Sequence, residues 1–323
     1  MQSHNEQVIF ALESRLNAGQ FCWLITIAST WGSSPRPAGS LMVWSQHFGS
    51  VGSLSGGCVE EELLEQLRRE AFDIRKTHQL TYGISAEEAS RMRLPCGGTL
   101  NLVLEPMPAT SENRQHSNDM VTMLQRRQGF TRSTPLRAGA EHPAKLTPAS
   151  PHACHADKQT LHNYLGPRYR LLLIGANQVS EFLAQFARSL DFDVLVCDPR
   201  PGAFEQWALD FTTTLTAMPD DVVRDLAHDK LSAVVTLAHD PRVDDMALME
   251  ALTTDAFYVG ALGSARTTEK RLDRLLQLDL TPAQTARLHA PVGLAIGSKT
   301  PAEIALSVAA DLVRHIRGEM TAS

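Results

Sequence analysis

Two cysteines in this chain lie against glycine pairs, in Ser55-Gly56-Gly57-Cys58 and in Pro95-Cys96-Gly97-Gly98. The segment after Cys58 places Val59, Leu63, Leu64 and Leu67 at helical spacing with Glu60 to Glu62 in the first turn, so Cys58 is expected at a helix N-terminus. There the macrodipole and the unpaired amide donors favour a thiolate, which is a nucleophile and a soft metal ligand. The amides of Gly56 and Gly57 would equally accept a phosphate, and Arg36, in a Pro-restrained loop, would supply a bidentate anion contact. The plainer alternative is that Cys58 is an ordinary small buried side chain.

Three further constellations stand beside this one. Gly175-Ala176-Asn177-Gln178-Val179-Ser180 follows an apolar strand and opens a helix, and Asp198 ends the next strand roughly 20 residues on, where a ribose-binding acid belongs. The context is that of a dinucleotide fold, but Asn177 and Ser180 stand where two of the fingerprint glycines would be. Gly175, Asn177 and Asp198 are therefore candidates for an NAD(P) site, with an unliganded sheet and turn as the alternative. His142, His152, Cys154, His155 and His162 bring together metal-ligating types, at a spacing that matches no zinc module and is better read as a solvated stretch. Asp240, Asp244 and Asp245 follow a predicted sheet strand, either as ligands at the sheet crest or as acids balancing a helix dipole.

The elements that must carry these residues divide the chain. An amphipathic helix over 7–19 is followed by a buried strand from Phe21 to Ala28 and a Gly/Pro/Ser-rich loop from Thr30 to Ser40. Strands are expected at Leu41–Trp44, Gly49–Leu54, Thr99–Glu105 and Phe130–Leu136, with helices at 59–69 and 119–127. Residues 138–162 mix Ala, Pro, His, Ser and Thr without apolar period and are expected to be an exposed connection. Beyond them strand and helix alternate: strands at Tyr169–Ile174, Phe192–Cys197, Ala233–Leu237 and Phe257–Gly260, helices at 179–190 and 244–252. This is the pattern of a parallel sheet with crossover helices. A last helix opens with Thr300 as N-cap, Pro301 at the first position and Glu303 in the capping-box position. The expectation is an α/β protein: a mixed α/β N-terminal domain over 1–137, a linker over 138–166, and a Rossmann-like doubly wound parallel sheet over 167–323.

Composition narrows the function classes. The 323 residues are 43% hydrophobic and 20% charged, enough apolar material for two cores, and the net charge of -6 has the wrong sign for holding nucleic acid or anionic lipid. No run of eighteen apolar residues is present and the start is polar, so neither a membrane span nor a signal core is expected and the chain reads as cytoplasmic. Five cysteines without a CxxC pair argue for reduced thiols rather than a disulfide framework.

Five segments, in order, carry a resemblance. They are Gly32-Ser33-Ser34-Pro35-Arg36-Pro37-Ala38-Gly39-Ser40-Leu41-Met42, Gly52-Ser53-Leu54-Ser55-Gly56-Gly57-Cys58-Val59-Glu60, Leu94-Pro95-Cys96-Gly97-Gly98-Thr99, Tyr258-Val259-Gly260-Ala261-Leu262-Gly263-Ser264, and Pro291 through Ala305. Together they resemble the XdhC/CoxI family of xanthine dehydrogenase accessory factors. The resemblance implies a chaperone that binds the molybdenum cofactor in its molybdopterin form and supports sulfuration of the molybdenum by an L-cysteine desulfurase. It would hand the cofactor to a xanthine dehydrogenase-type apoenzyme. A homodimer is implied, as is a maturation factor without turnover of its own. The implied cofactor-binding residues are Ser34, Arg36, Gly56, Gly57, Cys58, Cys96 and Gly97, with Cys58 and Cys96 as ligands of the molybdenum. The chain departs from the family in carrying Asn177-Gln178 where members commonly have Gly-His. The rival reading is an NAD(P)-dependent oxidoreductase built on the second domain.

Overall fold

A computed structural model describes residues 2–31, 36–55, 57–83, 99–136, 144–149, 152, 154–238 and 240–321, with the side chains of 2, 3, 58 and 319–321 outside the description. The chain divides into two compact units, Met1–Pro167 and Arg168–Ser323.

In the first unit, α1 (Gln2–Asn17) leads into β1 (Cys22–Trp31), β2 (Leu41–Ser45), β3 (Gly49–Gly52), α2 (Cys58–Arg68), β4 (His78–Tyr82), β5 (Thr99–Met107) and α3 (Ser111–Gln125). The strands form an antiparallel sheet in the order β3-β2-β1-β5-β4. One face packs under α2, where Val59, Leu63 and Leu67 meet Ile25, Ile27, Leu100, Leu102 and Leu104. The other packs on α1 and α3 through Val8, Ile9, Leu12, Leu16, Met120 and Leu124. The helical spacing of apolar residues seen in the sequence is the spacing of these buried positions.

The segment expected to be an exposed linker is instead structured. β6 (Phe130–Pro135) pairs with β7 (Lys145–Pro148) and β9 (Thr160–Leu165), and β9 with β8 (His155–Ala156), giving a four-stranded antiparallel sheet. One face buries Phe130, Leu161 and Leu165. The opposite face presents Ser133, His155 and His162. A strand whose outer face is Ser, Thr and His has the composition of a loop, and what holds it is non-local pairing to β6 that no local period records.

In the second unit, β10 (Arg170–Ile174), α4 (Gln178–Ser189), β11 (Asp193–Cys197), β12 (Thr213–Leu215), α5 (Pro219–Leu226), β13 (Ser232–Thr236), α6 (Pro241–Ala251), β14 (Tyr258–Ala261), α7 (Ala265–Gln277), α8 (Pro282–Thr285), β15 (Leu288–His289) and α9 (Pro301–Thr321) follow in turn. The sheet is parallel, in the order β12-β11-β10-β13-β14-β15. α4 and α9 cover one face and α5, α6 and α7 the other, so the strands are buried on both sides and read as unbroken apolar runs. Strand order reverses between β10 and β13, which places Gly175 and Leu237 at the topological switch point. The capping box at α9 forms as expected: Glu303 Oε2 accepts from Thr300 N at 3.0 Å, and Glu303 N donates to Thr300 Oγ1 at 3.3 Å.

Candidate functional site

The registers Trp31↔Thr99, Tyr82↔Leu100, Thr26↔Leu41 and Met42↔Gly52 put the end of β1, the start of β2, the ends of β3 and β4 and the start of β5 at one edge of the five-stranded sheet. The connections that leave this edge are those bearing the sequence candidates. Arg36 is described there, half-buried on the β1–β2 connection, and Gly57 and the backbone of Cys58 are described at the start of α2. Ser34, Gly56, Cys96 and Gly97 lie outside the described residues, as do His142 and the side chain of Cys58.

The β1–β2 connection is tied down by the elements around it. The turn closes through Ser40 N to Pro37 O at 3.2 Å and Gly39 N to Ile27 O at 2.8 Å. Asn5 of α1 accepts from Leu41 N at 2.9 Å and donates to Gly39 O at 2.9 Å, and Asn163 of β9 donates to the same carbonyl at 3.2 Å. Gly39 has φ +88, and a Cβ there would lie 2.8 Å from Asn163 Oδ1, so glycine is required.

At α2, Glu60 turns back on the incoming chain. Its Oε2 accepts from Ser53 Oγ at 2.9 Å, Leu54 N at 2.9 Å and Ser55 N at 3.3 Å, which fixes the direction in which the chain enters Cys58. The N-cap is Gly57, at φ -153, and it makes no side-chain cap hydrogen bond to the first turn. Cys58 is thus the first residue of a helix whose N-terminal dipole no cap side chain offsets. The other described cysteines are unsuited to thiolate chemistry, because burial pushes their thiols up, to about 11 for Cys22 and Cys154 and about 12 for Cys197.

The glycine turn of the second unit is arranged differently. Gly175 has φ +104, and a Cβ there would lie 2.6 Å from Ala238 Cα. Asn177 is the N-cap of α4: its Oδ1 accepts from Val179 N at 3.0 Å and Ser180 N at 3.2 Å, and its Nδ2 donates to Leu237 O at 2.7 Å. Ser180 Oγ donates to Gly175 O at 2.5 Å. Asp198, 1% exposed, accepts from Ala176 N at 2.8 Å and from Arg200 through Nε at 2.9 Å and Nη2 at 2.6 Å. Burial raises the Asp198 carboxyl, but the Arg200 side chain and the Ala176 and Arg200 amides outweigh it and hold the pKa below the usual range. Gly175, Asn177 and Asp198 are brought together as the sequence suggests. Two first-turn amides that a phosphate could use, those of Val179 and Ser180, are taken by Asn177, and the Asp198 carboxylate that a ribose could use is engaged by Ala176 and Arg200.

Asp240 caps α6 by accepting from Arg242 N at 2.9 Å. Asp244 accepts from Ala238 N at 3.1 Å and pairs with buried Arg271 at 3.0 Å, while Asp245 pairs with Arg274 at 2.7 Å. This cluster fastens α7 to α6. His152, His155 and His162 do gather on the small sheet, the last two stacked at 4.8 Å, but the Cys154 thiol points away, toward Ile27 O at 3.9 Å. Among the described residues no group of three or more His, Cys, Asp or Glu is arranged to hold a metal ion.

Sequence reasoning missed two polar clusters. Arg132 of β6 donates to Glu105 of β5 at 2.5 Å, to Thr134 at 2.7 Å and to His116 of α3 at 3.1 Å, all buried. Tyr258 of β14 donates to Asp311 of α9 at 2.8 Å, with His289 stacked on its ring at 4.4 Å and His315 edge-on at 5.0 Å. Each joins residues remote in sequence, so no local spacing marks them.

Comparison with known proteins agrees with this architecture. The profile of the XdhC and CoxI family matches residues 15–83, and that of the XdhC Rossmann domain matches residues 171–312. The chain belongs to the XdhC/CoxI family. The match over 15–83 spans the Arg36 connection and the entry to α2, and that over 171–312 spans the switch point. This XdhC/CoxI chain is similar to a Bacillus subtilis protein named as a probable xanthine dehydrogenase subunit, 27% identical over 94% of this chain and 96% of that one. It is 25% identical to the Escherichia coli "Molybdenum cofactor insertion chaperone PaoD" over 96% of this chain and 87% of that one. A crystal structure titled as a xanthine dehydrogenase from Bacillus halodurans superposes with a TM-score of 0.75 at 26% identity, covering 98% and 97% of the two chains.

Proposed function

We propose that this protein is a molybdenum cofactor insertion chaperone serving a xanthine dehydrogenase-type enzyme. The observation that carries the reading is the alignment of 96% of the chain with a protein named for that function. Supporting it is the gathering, at one sheet edge, of the connections that bear Arg36, Gly57 and Cys58. The cargo is the molybdopterin form of the cofactor, a pterin with a planar pyrimidinone ring that carries a phosphate and a sulfur-bound molybdenum.

The chain's own residues supply a chemistry for each part. A thiolate at Cys58, favoured by the uncapped end of α2, is a soft donor toward molybdenum, with Cys96 as a second. Amides at Gly56, Gly57 and Gly97, the Ser34 hydroxyl and the Arg36 guanidinium serve the phosphate. Burial of the cargo at the edge excludes water and oxidant until transfer. The same reading has the protein act as a homodimer in the cytoplasm, accept sulfuration of the cargo by a cysteine desulfurase, and turn over no substrate itself.

The test is retention of cargo. Protein purified anaerobically from a host that makes the cofactor is oxidised, and the fluorescent pterin released is quantified against protein. The expected result is a pterin that co-purifies and passes to an added apo-molybdenum hydroxylase. Protein that carries no pterin and restores no apoenzyme sinks the reading.

A further inference from the structure

Of the four tryptophans in the chain, Trp23 and Trp44 are buried and Trp207 donates its indole N–H to Thr212 at 2.8 Å, whereas Trp31 is 70% exposed. Its exposure has a backbone cause. Ile25 and Ile27 of β1 point into the core under α2, and a regular strand would send residues 29 and 31 to the same face. The register with β5 shifts between Ile27 and Ser29, so that Ala28 is an extra residue and Ser29 and Trp31 move to the face of Asn101 and Thr99. A β-bulge of this kind re-aims side chains, and here it turns an indole out of the core at the edge where the Arg36 and Cys58 connections leave the sheet.

Beside the indole runs a polar row. Asn101 Nδ2 donates to Ser29 Oγ at 2.8 Å and Thr81 Oγ1 donates to Asn101 Oδ1 at 2.8 Å, across three strands in register. The amide and hydroxyls retain further donor and acceptor capacity toward solvent. A large aromatic face next to a flat row of hydrogen-bonding groups suits a planar heterocycle with donors and acceptors around its rim. A protein-docking hot spot can also use a tryptophan, but at the centre of a patch of further contacts that exclude water. Two other exposed large apolar side chains of this unit, Phe48 and Ile74, sit at the opposite sheet edge, in the β2–β3 hairpin and before β4, and Phe10 is on α1.

We infer that Trp31 is the stacking platform for the pterin ring of the cargo, with the Ser29–Asn101–Thr81 row reading the ring's polar edge. This rests on the chaperone reading and adds to it the residue that holds the organic part of the cofactor, apart from any thiolate at the metal.

The test uses the full-length protein under anaerobic conditions. Cofactor released from a molybdenum hydroxylase, and separately 6-hydroxymethylpterin, are titrated while tryptophan emission is followed, and bound pterin is measured by equilibrium dialysis. Both probes should quench the wild-type emission. Trp31→Ala should weaken the binding of each by about ten- to a hundredfold, the size of one lost base-sized stacking contact, and Trp31→Phe by less. Because the side chain is largely in solvent, melting of both variants should match that of the wild type. Cofactor uptake by the wild type with Trp31→Ala within twofold of it overturns the platform and leaves the chaperone reading standing. No uptake by the wild type overturns both. Unchanged uptake by Trp31→Ala with lost capture of an apo-hydroxylase overturns the platform by making Trp31 a protein contact.

Discussion

The sheet edge of the first unit and the crest of the second are made of similar parts, a glycine turn feeding the N-terminus of a helix, yet they are finished in opposite ways. At α4 the N-cap is Asn177, whose side chain takes two first-turn amides, and Asp198 is engaged by Ala176 and Arg200. At α2 the N-cap is Gly57, which has no side chain to take any and accepts from Glu60 N through its carbonyl alone, at 3.0 Å, and the nearby carboxylate of Glu60 serves the incoming loop. The crest lies where open parallel sheets place their ligands, and there the side chains of Asn177 and Asp198 are engaged by neighbouring groups of the same unit. Fold alone would point to the second unit; the proposed function places the cargo on the first, where α2 begins without a side-chain cap.

The comparison can be broken hardest through the frame of the first unit. Arg132→Met leaves Glu105 as a buried charge without its partner, and such losses cost about 3–5 kcal/mol. The expected result is a fall of the first thermal transition of the full chain by roughly 6–20 °C, with the second unit's transition in place. Pairing the change with Glu105→Leu should recover most of the loss, because a well-packed apolar pair can replace a buried ion pair. A single variant that melts like the wild type would mean that the edge is not held by this pair.

The second unit offers a smaller effect with a pH signature. Asp198→Asn removes the charge that Arg200 and two amides stabilise, at a cost of about 1–3 kcal/mol. The folded-state pKa of Asp198 is depressed, so its contribution is fully present above the unfolded-state value of about 3.9 and is lost as pH falls through the folded value. Urea unfolding of wild type and variant should therefore differ by a constant amount from pH 5 upward and converge in acid. Cofactor retention should be unchanged; a variant that loses cargo would move the site to the crest.

Cys58→Ala sharpens the other side, with about a tenfold fall in retained pterin expected and no change for Cys197→Ala, a small loss by the affinity scale of about 1.4 kcal/mol per decade. Retention of cargo at the wild-type level in Cys58→Ala would remove the thiolate from the site.

How much of this was legible beforehand depended on locality. α2, α4 and α9 were readable because their caps and apolar stripes lie within one stretch of chain, and the parallel sheet was readable from alternating strand and helix patterns. β7 to β9 were not, since Leu161 and Leu165 are buried only by pairing with Phe130 and the outward Ser133, His155 and His162 resemble a loop. Of the site, the glycine-flanked position of Cys58 was visible as a motif. The bulge at Ala28 was not, because it is a mismatch between two strands far apart in sequence. Nor could the letters say that Asn177 would turn its side chain onto the α4 amides, although a side-chain cap in place of a glycine is the mechanism by which a fingerprint turn closes.

That last contrast yields the smallest and most direct prediction. Gly57 has an extended φ of -153 and open space around the Cβ position, so Gly57→Asn can be accommodated without strain. The new side chain would do for α2 what Asn177 does for α4, capping the first-turn amides and stabilising the helix by a few tenths of a kcal/mol, about the difference between a glycine and an asparagine cap. A cap that strengthens the fold should weaken the function, because the new side chain would occupy the anion-accepting end of α2 beside the Gly56 and Gly57 amides proposed for the phosphate. The expected outcome is a melting temperature equal to or slightly above the wild type together with a severalfold loss of retained pterin. Equal retention would show that the open end of α2 is not what holds the cargo, and the difference between the two helix termini would then be one of folding alone.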